Sequence, residues 1–208
     1  EFHKLKVIDQ TIVAGAGIPN SKLANLAREN SIAGMEFLSG IPGSLGGSIS
    51  MNAGAFDCEV KNLLEKITVI SRSGERMALS SDQIKFGYRY SNISSDLIIV
   101  EANLRGKIGH RAEITKKMSI IQRDRMLNQP VKQPTGGSTF INPPGLSAWE
   151  LIDKAGCRGL VRGDAQVSKK HCNFLINLGG ATAADLEGLG EEVRQRVLDI
   201  TGINLEWE

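Results

Sequence analysis

Cysteine is scarce in this 208-residue chain: Cys58, Cys157 and Cys172 stand far apart, with no CxxC pair and no His/Cys cluster. No metal site is expected from that spacing. The odd count does not suit a disulfide framework, so a reducing compartment fits better. Long apolar runs are missing too. None approaches the ~20 residues of a membrane-spanning helix, so no membrane association is expected. The opening residues, EFHKLKVIDQ, lack the pattern of a signal peptide, and Lys4–Ile8 already reads as a strand. The chain therefore reads as starting partway into a fold, with earlier residues lost. An excess of one charge is also absent: 25 Lys+Arg against 23 Asp+Glu gives +2, and the pI of 8.5 leans only slightly toward anionic ligands. A dedicated nucleic-acid binder would carry a basic stripe, so nucleic acid is not an expected partner. No internal repeat or low-complexity tract appears. Nor does the regular βαβ alternation of a doubly wound sheet.

What is present suits an ordinary packed core. Hydrophobic residues make up 41% and charged residues 23% of a chain long enough for one large domain or two small ones. Val7-Ile8 and Thr11–Ala14 flank Asp9-Gln10 as a hairpin. Lys66–Ser71 and Glu75–Leu79 flank a Ser73-Gly74 turn as a second hairpin. Asp96–Leu104, DLIIVEANL, is the strongest strand signal. Asn20 or Ser21 is placed to cap a helix with Leu23, Leu26 and Ala27 on one face. Arg111–Met126 puts Ile114, Met118 and Ile121 on one helical face. Asn128–Gly137 reads as a loop or domain junction. Ser147 and Glu150 have capping-box spacing for a helix that ends near Ala155-Gly156. His171–Asn177 contains a buried strand. Thr182–Asp185 opens a last helix with Leu186, Leu189, Val193 and Val197 inward and Gly202 as its stop. Ile203–Glu208 begins a final strand. The fold class is therefore α+β, β-rich before about residue 106 and mixed after it.

One run has the composition of an anion cradle. GIPGSLGGSISMNAGA, Gly40–Ala55, carries Gly40, Gly43, Gly46, Gly47 and Gly54. Glycines let backbone N–H groups turn inward on a ligand, and successive inward amides bind phosphate. Pro42 would stiffen such a loop, and Ser44, Ser48 and Asn52 would add donors. On residues alone the run is equally a structural turn. It is neither a Walker loop nor a GxGxxG after a strand.

The run resembles the GIPG-x-x-GG…MNAGA signature of the UDP-N-acetylenolpyruvoylglucosamine reductase family. The rest of the chain matches in order: FGYRYS at Phe86–Ser91, Gln129-Pro130, TGGSTFINP at Thr135–Pro143, AWELIDKAGCRG at Ala148–Gly159, HCNFLIN at His171–Asn177 and LEWE at Leu205–Glu208. The resemblance implies a flavin domain of the vanillyl-alcohol-oxidase type followed by an α+β substrate domain. Residues 1–128 would be the second part of the flavin domain and 129–202 the substrate domain. Residues 203–208 would start a strand returning toward the active site. The first part of that flavin domain carries a GGGSN-like motif with no counterpart here, so the chain is expected to be a fragment that is not assured of activity alone.

The resemblance also implies a chemistry: NADPH reduces FAD, which then reduces UDP-N-acetylglucosamine enolpyruvate to UDP-N-acetylmuramate. Arg89 matches the arginine that stabilises charge on the substrate carboxylate, a task suited to a two-pronged guanidinium. Ser138 matches the proton donor. Glu208 matches the glutamate that stabilises the acid form of the carboxylate while itself carrying a proton. FAD contacts are expected from Gly15, Gly17, Gly40, Ile41, Pro42, Gly43, Ser44, Gly46, Gly47, Asn52 and Gly54. Substrate contacts are expected from Tyr88, Asn142 and His171. The family more often reads FKNP where this chain has FINP, so Ile141 removes an amine. The interval between Ser138 and His171 holds no tyrosine-rich insertion, as in the subtype lacking a mobile tyrosine loop. A monomer in the bacterial cytoplasm is expected. The competing classes are another flavoprotein of the superfamily, such as an oxidase, and a non-catalytic nucleotide-binding module.

Overall fold

The structure is a computed structural model that describes residues 2–208. The chain forms two compact units, residues 1–123 and 124–208.

The first unit is built on an antiparallel five-stranded sheet. Its order is Leu5–Ile8, Thr11–Gly15, Leu97–Arg105, Leu64–Ser71, Arg76–Ser80. Alternation sets the register: Ile12 and Leu104 face each other, as do Ala14 and Ala102, and all four are buried. Both expected hairpins form, the second turning at Gly74 with φ +86°. The strand signal around 96–104 becomes the central strand, paired on both edges. Helix α1, Asn20–Glu29, buries Leu23, Ala24 and Ala27. Helix α3, Arg111–Asn128, buries Ile114, Met118 and Ile121.

Two local expectations are corrected here. Neither Asn20 nor Ser21 caps α1: Pro19 occupies the cap position, and Asn20 turns into the core. The glycine run is not a continuous loop either. It leaves a 3-10 turn at Glu36–Gly40 and enters a six-residue helix α2, Leu45–Ser50.

The second unit has a four-stranded antiparallel sheet in the order Thr135–Ser138, Phe174–Asn177, Ala165–Val167, Val161–Arg162. Helices α4, Ala148–Lys154, and α5, Ala183–Thr201, share its core with Phe140, Ile152, Val167, Leu189, Val193, Val197 and Leu205. Helix α5 starts where the sequence places it. Thr182 Oγ1 accepts from the Asp185 amide at 3.1 Å, Asp185 accepts from the Thr182 amide at 2.9 Å, and Gly202 ends the helix at φ +73°.

Three readings change. The stretch read as loop through Gly137 already contains the strand Thr135–Ser138. The Ser147/Glu150 capping box does not form: the Glu150 amide goes to the Ser147 carbonyl at 3.1 Å, and the side-chain acceptor at this helix start is Asn142 Oδ1, which takes the Ala148 amide at 2.9 Å. The final strand is reduced to one antiparallel bridge, Phe140 with Trp207.

Candidate active site

The glycine run sits on a tightly bonded base. Leu45 donates its amide to Ile18 O at 2.9 Å and Gly46 to Ala16 O at 2.8 Å. A Cβ at Gly46 would lie 3.0 Å from Ala16 Cβ, so glycine is needed there for packing. Gly15 and Gly17 give their amides to Lys4 O and Phe2 O. Asn52 is fully buried, donating to Gly87 O at 2.9 Å and accepting from the Lys61 amide at 3.1 Å. The anion-cradle reading is therefore narrowed. Gly15, Gly17, Gly46 and Asn52 hold the frame and do not offer these donors to a ligand.

The exposed residues of the run are Pro42, Gly43, Gly47, Ser50 and Met51, and the glycines among them are Gly43 and Gly47. Gly43 has φ +99° with open space where a Cβ would project, and a Cβ at Gly47 would touch only Ser44 Oγ, at 3.8 Å. Backbone can be approached closely there, which fits the diphosphate of a flavin. Ile41 and Ser44 flank this opening half-buried. Gly40 and Gly54 serve packing: a Cβ at Gly40 would strike Ile121, and one at Gly54 would lie 2.8 Å from Cys58 O.

Arg89 lies in the same unit, at the turn between Phe86–Gly87 and Tyr90–Ser91. Its φ is +52°, a conformation L-residues other than Asn, Asp and Gly seldom adopt. Strain of that kind collects at functional positions. The guanidinium donates to Gly54 O at 3.2 Å and stands 4.8 Å above the ring of the half-exposed Tyr88. Gly54 and Asn52 thus tie the end of the glycine run to the arginine turn.

In the second unit, Ser138 and Glu208 line one cleft of about 700 Å³, with Thr139, Leu175, Asn177, Leu186, Glu187 and Trp207. They are 70 residues apart in sequence, and pairing brings them together. Ile141 donates to Glu206 O at 2.9 Å, and the Glu208 amide donates to Thr139 O at 3.0 Å. The last residue of the chain is thus docked beside the residue that follows Ser138.

Asn142 and His171 are placed differently from the cleft residues. Asn142 Oδ1 serves the start of α4. The half-buried His171 ring lies 4.8 Å edge-on from Phe174 and 6.2 Å from Trp149. Its Nδ1 accepts from the Asn173 amide at 3.3 Å. Burial is the main cause that holds its pKa below the ordinary histidine value, and the Arg158 charge adds to it. Neither residue lines the Ser138 cleft. Trp207, Glu187 and Asn177 line it without a sequence signal of their own as site residues, and Leu186, which the sequence marks as an inward helix position, lines it too. The glycine at 190, inside an otherwise regular helical pattern, was the available signal, since such a glycine usually has a packing reason.

Fold and site together define a class: a two-unit α+β protein with a glycine-rich, anion-suited surface in one unit and a serine–carboxylate cleft in the other. Residues 129–208 match the family model for the C-terminal domain of UDP-N-acetylenolpyruvoylglucosamine reductase, and residues 1–80 match that of an FAD binding domain. A UDP-N-acetylenolpyruvoylglucosamine reductase of Paramagnetospirillum magneticum is 52% identical over 207 residues, spanning 100% of this chain and 67% of that protein. The Novosphingobium aromaticivorans reductase is 49% identical, covering 100% of this chain and 70% of its own length. The crystal structure of UDP-N-acetylenolpyruvylglucosamine reductase from Thermus caldophilus superposes with a TM-score of 0.85 at 36% identity, covering 97% of this chain and 73% of that one. The chain belongs to the UDP-N-acetylenolpyruvoylglucosamine reductase family and spans about two thirds of the length of these relatives. Among the described residues no helix is long and apolar enough to cross a membrane.

Proposed function

We propose that this chain carries out, as part of its family's enzyme, the NADPH-driven reduction of UDP-N-acetylglucosamine enolpyruvate to UDP-N-acetylmuramate in peptidoglycan precursor synthesis. The observation that carries this reading is the shared cleft of Ser138 and Glu208. When bound, FAD supplies hydride storage between the two substrates. Gly43, Gly47 and the neighbouring Ile41, Pro42 and Ser44 would hold its diphosphate. The bonded base under them, including Gly40 and Gly54, would keep that surface rigid.

Hydride addition to the enolpyruvyl double bond pushes negative charge onto the substrate carboxylate and leaves the adjacent carbon in need of a proton. Arg89 is assigned to that carboxylate. Its guanidinium is always charged, and the strained turn leaves it few alternative directions. Ser138 Oγ holds the proton to be delivered. A hydroxyl is a poor acid in water, so this step depends on water exclusion around the bound substrate. Glu208, docked by its own amide, shares a proton with the substrate carboxylate as charge develops there. Tyr88 would pack on the substrate beside Arg89. Asn142 and His171 are assigned to the substrate side as well, acting through the segments they brace. The functional division is taken as 1–128 for flavin binding, 129–202 for substrate binding and 203–208 as the returning segment. The enzyme is read as a monomer of the bacterial cytoplasm.

The test is spectroscopic. FAD is added to the 208-residue chain and to a chain of the relatives' full length, then bleached anaerobically with NADPH. Return of the 450 nm region on adding UDP-N-acetylglucosamine enolpyruvate, with UDP-N-acetylmuramate formed, supports the assignment. A bleached flavin that this substrate cannot reoxidise in the longer chain overturns it.

A further inference from the structure

The Glu208 amide is bonded to Thr139 O at 3.0 Å, and helix α5 grips the residues just before it. Arg194 Nε donates to Leu205 O at 2.8 Å, and its Nη2 donates to Asn204 Oδ1 at 3.2 Å. Its Nη1 donates to both Glu191 oxygens at 2.8 Å. Glu191 Oε1 also accepts from Trp207 Nε1 at 3.0 Å. The Trp207 ring stacks 5.0 Å from the buried Phe140 and lies so close over Gly190 that a Cβ there would be 2.8 Å from Cζ2 and 2.9 Å from Cζ3. One guanidinium therefore grips three points of the segment that ends in Glu208: residues 204 and 205 directly, and residue 207 through Glu191.

We propose that Arg194 is a positioning residue for Glu208, acting through Glu191 and Trp207, with Gly190 as the seat of the indole ring. Arg194, Glu191 and Gly190 are not among the residues that line the Ser138 cleft, so they act on substrate only by where they hold the segment 204–208. The fork geometry is what the site uses. A lysine keeps the charge but has three donors on a single nitrogen, against the four bonds that Arg194 makes from three spread nitrogens. The proposal rests on the assignment of Glu208 to the substrate half-reaction.

The experiment measures both half-reactions by stopped flow in the flavin-loaded enzyme for Arg194→Lys, Gly190→Ala, Glu208→Gln and the double variant Arg194→Lys/Glu208→Gln. Misplacing a catalytic group by about 1 Å costs on the order of 10²-fold. Arg194→Lys is therefore expected to slow reoxidation by the enolpyruvyl substrate by roughly 10- to 100-fold, leaving reduction by NADPH unchanged. Gly190→Ala, which favours the helix but displaces the indole ring, is expected to do the same. Arg194→Lys should add little to Glu208→Gln, because it acts through that carboxyl. Additive losses in the double variant, or equal slowing of both half-reactions, overturn the positioning role. Normal reoxidation in Glu208→Gln instead overturns the assignment of Glu208 itself, and the proposal falls with it.

Discussion

Asn20 Nδ2 donates to Ser48 Oγ at 2.7 Å inside the core of the first unit, joining the start of α1 to the middle of the glycine run. A second donation, to Ile41 O at 3.3 Å, reaches the start of the run. Asn20 Oδ1 is buried with no hydrogen-bond partner, so the side chain's hydrogen bonds all come from Nδ2. Ser48→Ala removes the shorter of the two bonds and leaves the buried amide only the 3.3 Å bond to Ile41 O. It is expected to lower the unfolding free energy by about 1–3 kcal/mol in urea titrations. FAD retention on a desalting column should fall with it. Unchanged stability and retention would mean the tether is idle.

The two central glycines of the run should fail for different reasons. Gly46→Ala presses a methyl 3.0 Å from Ala16 Cβ and 3.3 Å from Ala16 O. It is expected to destabilise by about 1–3 kcal/mol through overpacking. Gly43→Ala meets no neighbour within 4 Å but must adopt φ +99°. Its cost, on the order of 1–2 kcal/mol, is conformational. Gly43→Asn should recover part of it, because asparagine tolerates positive φ, and Gly46→Asn should recover nothing.

Arg89 sits where asparagine or glycine would be more comfortable. Arg89→Asn is therefore expected to leave the melting temperature unchanged or raise it, by up to about 1 kcal/mol of stability. Reoxidation by substrate should slow by 10²-fold or more, the scale of losing a charged stabiliser. A variant that is both less stable and fully active would contradict the functional reading of the strained turn.

Half-buried His171 gives the second unit a pH dependence with a definite sign. Its folded pKa is lowered by desolvation, so the unfolded chain takes up the proton first. Stability is full above the unfolded value of about 6.5 and declines as pH falls through the depressed folded value. Unfolding free energies measured from pH 7.5 to 5 should fall more steeply in the native chain than in His171→Gln. A steeper fall in the variant would reverse the assignment.

Sequence patterns were sufficient where one local rule acted alone. The Thr182/Asp185 box and Gly202 bracket α5, and the spacing of Ile114, Met118 and Ile121 marks the buried face of α3. They failed where a distant partner competed for the same group. Asn20 has the composition of a cap, but Ser48 offers its amide a buried acceptor. Ser147 and Glu150 have capping spacing, but the Glu150 amide bonds the Ser147 carbonyl, and Asn142, five residues earlier, supplies the side-chain acceptor for the Ala148 amide. The glycine run reads as a loop because α2, LGGSIS, has little helix propensity; contacts of Leu45 and Gly46 with the Ile18 and Ala16 carbonyls fix it instead. Motifs in the sequence single out Arg89, Ser138 and Glu208 as candidates, and the structure places Ser138 and Glu208 on one cleft. The docking of Glu208 was not legible, since it depends on pairing with 139–141 and on Arg194, ten or more residues away in the chain.

The proton-donor role of Ser138 in the substrate half-reaction is the centre of the account. Single-turnover absorbance of Ser138→Ala, followed separately for reduction by NADPH and reoxidation by UDP-N-acetylglucosamine enolpyruvate, tests it most directly. The account predicts unaltered reduction and reoxidation slowed by about 10²–10⁴-fold, the range of general acid catalysis. Reoxidation at the native rate, or equal slowing of both steps, would contradict it.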